Sequence, residues 1–183
     1  MKCDGQSKAE ALTVFAEKFI KDVCLNADTR KKWCIIAGPC GTGKSHVAKC
    51  LSRFFKSSAI DLYVEGPWRL GDEIPKGYYR DWKMLTTRND FDFDQALYDI
   101  DSAAFVVLDD VGSETDRFKS GLPTERLLRA LDARQDKFLL LTTNAPLAQW
   151  PKAFDARVAS RLSAASYFDT TGIPDYRPRL AGK

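Results

Sequence analysis

With 183 residues the chain is long enough for one well-buried core and short for two. Its 44% hydrophobic and 29% charged residues are ordinary for a globular domain, and a net charge of +3 does not by itself argue for nucleic acid. No apolar run approaches bilayer-spanning length, and the N-terminus shows no secretory signal, so a cytoplasmic protein without a membrane partner is expected. The five cysteines (Cys3, Cys24, Cys34, Cys40 and Cys50) are odd in number and contain no C-x-x-C pair. Reduced thiols explain them better than a disulfide framework or a zinc site.

Ser7 to Leu25 is predicted as a helix. Ser7 and Glu10 suit a capping box, and Ala11, Leu12, Phe15, Phe19, Ile20 and Val23 recur at helical spacing. That stripe is expected to dock on the core, with a partner surface as the alternative. Asn26 to Lys32 is a polar connector, so residues 1–30 read as a helical N-terminal extension and residues 31–183 as the core domain.

Trp33 to Ala37 is a short apolar, β-prone run, and Ser45 to Phe55 reads as a helix. Between them Gly38, Pro39, Cys40, Gly41, Thr42, Gly43, Lys44 and Ser45 complete the pattern G-x-x-x-x-G-K-[ST]. Strand, glycine-rich loop and helix N-terminus set backbone N–H groups and the positive end of a helix dipole against an anion. The glycines let the N–H groups turn around the α- and β-phosphates. Lys44 would reach the β- and γ-phosphates, and the Ser45 hydroxyl would ligate Mg²⁺. The chain is therefore expected to bind a nucleoside triphosphate.

Ala59 to Val64 reads as a second strand, and Glu65 to Thr87 as irregular, with Trp68, Tyr78, Tyr79 and Trp82 interleaved with Arg69, Lys76, Arg80 and Lys83. Such a mixture either caps a core edge or tracks single-stranded nucleic acid, and the structural role is favoured. Phe91 to Ile100 is a predicted helix leading into Ala103 to Leu108, a strand buried on both sides. A helix from about Pro123 to Arg134 follows, and then the apolar strand Lys137 to Thr143. Helices alternating with continuously apolar strands predict an α/β fold: a parallel sheet covered on both faces.

Phe105 to Leu108 followed by Asp109-Asp110 has the form of an apolar strand ending in acid, the end that opens onto the ligand crevice of a parallel sheet. Asp109 would hold Mg²⁺ beside Ser45, and Asp110 would orient or deprotonate the attacking water. Leu139 to Thr143 ends in Asn144, which could meet the γ-phosphate or the water; a turn before Pro146 is the bland alternative. Arg157 and Arg161 share one helical face, and spacing alone favours surface ion pairs for them.

Five strings taken together resemble the DnaC/IstB-type helicase-loader ATPases, a branch of the AAA+ proteins. They are Gly41 to Ala48, Leu108 to Gly112, Thr142 to Leu147, Phe154 to Leu162 and Asp175-Tyr176-Arg177, in the family's order and spanning roughly Trp33 to Arg177. The resemblance implies a three-layer AAA+ P-loop fold, ATP with Mg²⁺, and an ATPase of DNA replication that loads or remodels a replicative helicase. It also implies homo-oligomers when ATP is bound, with single-stranded DNA as a further partner. His46 matches a family position within the nucleotide site, Asn144 the sensor-1 position, and Arg161 the arginine finger, with Arg157 in support. Asp110 departs from the glutamate of many AAA+ enzymes. Only about thirty residues precede the core where loaders carry a larger domain, and no C-terminal helical lid is evident. A compact phage or mobile-element loader, working in the host cytoplasm, would fit these departures. A superfamily-three-like helicase, a small-molecule phosphotransferase and a non-hydrolysing nucleotide switch are the alternatives.

Overall fold

The computed structural model describes residues 4–24, 32–56, 77–113, 120–150 and 154–176. In chain order the elements are α1 (Asp4–Cys24), β1 (Trp33–Ala37), α2 (Lys44–Lys56), β2 (Gly77–Asp81), α3 (Trp82–Thr86), α4 (Asp90–Ser102), β3 (Phe105–Val111), α5 (Leu122–Ala133), β4 (Phe138–Thr143), α6 (Ala156–Leu162) and β5 (Ser166–Asp169). A 3-10 turn, Leu147–Gln149, follows β4.

The five strands form one parallel sheet in the order β2-β3-β4-β1-β5. Strand periodicity divides its side chains between two cores. On one face Ile35, Val106, Leu108, Leu139 and Leu141 pack against α3, α4, α5 and α6 through Leu85, Phe93, Ile100, Leu127, Leu131 and Val158. On the other, Cys34, Ile36, Phe105, Val107 and Leu140 pack against Ala48 and Leu51 of α2 and Leu12, Ala16, Phe19 and Val23 of α1. Helices on both faces explain why β1, β3 and β4 are apolar almost throughout.

The stripe on α1 docks on the core: Phe19 sets its ring edge-on to Phe105 and Phe138, and Phe15 lies 5.4 Å from Phe168. This helix begins at Asp4, ahead of the Ser7 capping box expected from sequence. Pro123 sits in the first turn of α5, after Gly121 as N-cap with φ of 72°.

One expectation is corrected. Of the segment read as irregular, Gly77–Asp81 is a strand paired in parallel with β3 at the edge of the sheet among the described residues, and Trp82–Thr86 is the short helix α3. The Tyr-Tyr pair of β2 is β-prone, and a five-residue edge strand lacks the long apolar run that announces β3 and β4. The strand expected at Ala59 to Val64 lies outside the described residues, as do Trp68, Arg69 and Lys76.

Candidate functional site

The loop from Gly38 to Gly43 joins the C-terminal end of β1 to the first turn of α2. Gly38 N–H donates to the Thr143 carbonyl at 3.2 Å, which ties the loop to the end of β4. Two of its glycines are required by close approach. At Gly38 (φ 130°) a Cβ would stand 2.4 Å from Thr170 Oγ1, and at Gly41 (φ 79°) one would stand 1.9 Å from the Asp175 carboxylate. Thr170, directly after β5, donates from both its N–H (2.8 Å) and its hydroxyl (3.0 Å) to the Ala37 carbonyl. Its hydroxyl also meets Thr42 Oγ1 at 2.8 Å, and Tyr176 N–H donates to the Gly41 carbonyl at 3.1 Å. The chain after β5 thus braces the loop.

Lys44 is buried. Its Nζ donates to the carbonyls of Gly38 (2.8 Å) and Pro39 (2.6 Å), which holds the cation within the loop. Ser45 lies in the first turn of α2 and is half-buried, while Cys40 and His46 are exposed. His46 Nε2 lies 3.6 Å from Cys50 Sγ, one helical turn on.

Because β4 lies between β1 and β3, the end of β4 adjoins both the glycine loop and the acidic pair. Asp109 is only 3% exposed. Its Oδ1 accepts from Thr142 Oγ1 and its Oδ2 from the Tyr79 hydroxyl, each at 2.6 Å. Asp110 follows immediately, and in a regular strand it would face the opposite side of the sheet. Instead the β3–β4 register shifts between Leu108 and Val111, and Asp110 takes φ of 63°. Such a bulge re-aims a side chain. Asp110 N–H donates to Thr142 Oγ1 at 2.8 Å, and its Oδ1 accepts from Asn144 Nδ2 at 2.7 Å. One threonine hydroxyl therefore links both acids, and Asn144 holds the second.

Burial, reinforced by the bond to Asp109, raises the pKa of the Tyr79 phenol, so at neutral pH it remains a donor. Neither Tyr79 nor Thr170 stands out in the sequence. Tyr79 hides in a segment punctuated by Gly and Pro, and Thr170 matters only because β5 pairs with β1. The aromatics near Tyr79 are structural: Trp82 is fully buried, and Tyr78 stacks on Arg80 at 3.9 Å.

The two arginines of α6 are engaged elsewhere than at this crevice. Arg157 pairs with Asp155 at 2.9 Å. Arg161 forms a fork with Asp132 of α5, Nε to Oδ1 at 2.7 Å and Nη2 to Oδ2 at 3.3 Å. Arg177 of the D-Y-R string lies outside the described residues.

The donor set suits a hard divalent cation. Asp109 is a buried oxygen ligand whose partners are two neutral hydroxyls, and no basic side chain among the described residues forms an ion pair with it.

No protein-family profile matches the sequence, and neither does any curated protein sequence. Solved structures do match. The DnaC helicase loader superposes with a TM-score of 0.61 at 17% identity, over 87% of this chain and 88% of that one. This is the AAA+ P-loop fold. DnaI gives a TM-score of 0.60 at 18% identity, over 91% and 85% of the two chains. AMPPCP-bound DnaA from Aquifex aeolicus gives 0.61 at 13% identity over 85% of this chain, which spans 45% of that DnaA chain. Identities this low establish the AAA+ fold and leave the activity to be argued from the site. Among the described residues no helix is long and apolar enough to cross a membrane.

Proposed function

We propose that this chain is an AAA+ ATPase of DNA replication, which binds ATP with Mg²⁺ and uses its hydrolysis to load or remodel a replicative helicase. One observation carries the reading. At the crevice where the ends of β1, β3 and β4 meet, a glycine-rich anion loop with a buried lysine stands by a bulge-aimed acid pair joined through Thr142. The helicase-loading part rests on the structural likeness to DnaC and DnaI together with the strings of the sequence that resemble such loaders.

The roles follow from the groups present. Loop N–H groups and Lys44 bind the phosphates, and the first turn of α2 supplies the dipole. Ser45 and Asp109 would hold Mg²⁺, which neutralises charge developing on the β- and γ-phosphates. Asp110, on the exposed side of the pair, accepts a hydrogen bond from the attacking water, and Asn144 fixes its orientation. Arg161 stands on α6 with Asp132 holding its guanidinium plane. In an oligomer a neighbour's Arg161 would complete the γ-phosphate site, which makes turnover depend on association. Single-stranded DNA is a candidate regulator, as the likeness to a DnaA bound to single-stranded DNA suggests.

The test is nucleotide affinity. A fluorescent ATP analogue should bind the wild-type chain in Mg²⁺, and Lys44→Ala should weaken it by at least about thirtyfold, the loss expected when one partner of a buried charge pair is truncated. Equal affinity in the two proteins would contradict the assignment of the loop.

A further inference from the structure

Tyr79 lies outside every motif, yet its hydroxyl is committed to the buried acid of the site. In the β2–β3 register Asp81 stands opposite Asp109 and Tyr79 opposite Val107, so Tyr79 is one same-face step away and its long side chain reaches diagonally to the carboxylate. Thr142 comes to the other oxygen from β4. The two donors thus arrive from the strands on either side of β3. A carboxylate held by one donor can turn about its terminal torsion; held at both oxygens it has one orientation.

We propose that Tyr79 is a positioning residue of the metal–nucleotide site: with Thr142 it fixes the Asp109 carboxylate so that its remaining lone pairs face the water ligands of a divalent cation held at Ser45. This rests on the nucleotide reading above. The hydroxyl is the part that matters. Phenylalanine would fill the same space, keep the β-propensity of the strand and leave Asp109 with a single donor. A hydrogen bond to a charged group is worth roughly a tenfold effect or more, and that loss should fall on the metal-dependent part of binding.

The experiment titrates a fluorescent ATP analogue at graded free Mg²⁺ for the wild type, Tyr79→Phe and the control Tyr78→Phe. Tyr78 is the neighbouring strand residue and stacks on Arg80. The expected result is a rise of about tenfold in the Mg²⁺ concentration for half-maximal binding in Tyr79→Phe. Affinity measured in chelator should stay within about twofold of the wild type, as should both quantities in Tyr78→Phe. An unchanged Mg²⁺ requirement in Tyr79→Phe would overturn the proposal. So would a parallel loss of metal-free affinity, which would mark the tyrosine as ordinary packing. If the wild type itself bound no nucleotide, the reading of the whole site would fall, an outcome distinct from either.

Discussion

At the scale of single residues, Cys34 and Cys40 show how far position decides chemistry. Cys34 lies within β1 and is buried, and burial pushes its thiol up to about 12. Cys40 is exposed in the glycine loop. Since the thiolate is the reactive form, iodoacetamide at about pH 8 should alkylate Cys40 and leave Cys34 untouched until the chain is unfolded. MgATP should slow the reaction at Cys40. Peptide mass spectrometry reads both sites, and labelling of Cys34 in the native protein would contradict its placement in the sheet. At this scale the sequence announces the loop, because each of its letters has a local reason. It does not announce the turn at Asp110. Two adjacent aspartates read as a pair, whereas the register shift and the φ of 63° that send them to different partners depend on where β4 lies.

At the scale of elements, the strands buried on both faces are legible because nothing else of that length is apolar throughout, and the longer core helices are legible from their stripes, whereas the five-residue α3 is too short to show one. β2 is missed because its side chains are half-buried or exposed, with Tyr78 and Tyr79 on opposite faces, and five residues carry too few positions for a pattern. Arg134, the end of a predicted helix, is also more than it reads. It is 0% exposed, and its guanidinium donates to the carbonyls of Ile100 (2.9 Å), Ala103 (2.7 Å), Ala104 (3.2 Å) and Phe138 (2.5 Å). It therefore satisfies the C-terminal end of α4 and the start of β4 at once. Burial lowers its pKa to about 10, so the charge persists at neutral pH. Arg134→Ala should cost about 3–5 kcal/mol, since those carbonyls would lose their donors in the interior. Arg129→Ala, which breaks a solvent-exposed pair with Asp94, should cost less than about 1 kcal/mol. Urea unfolding of the two variants checks the contrast, and similar midpoints would show that Arg134 is not the joint described.

At the scale of the whole molecule, the sheet order brings the functional parts together. Placing β4 between β1 and β3 puts Thr142, Thr143 and Asn144 against both the loop and the acids, a juxtaposition that no local reading of the chain contains. The same scale holds the part of the account that a single chain does not complete. Arg161 is paired with Asp132, and under the proposed function the transition-state charge would be supplied by the Arg161 of a neighbouring copy. The most direct test is the ATPase rate per subunit measured against protein concentration, with and without single-stranded DNA, for the wild type and Arg161→Ala. The account predicts a rate that climbs with concentration and shifts with DNA. In the variant, turnover should fall by about 10³-fold or more at every concentration while nucleotide binding is kept. A flat, DNA-insensitive rate, equal in both proteins, would contradict it and point instead to a self-contained monomer that transfers phosphate to a small acceptor.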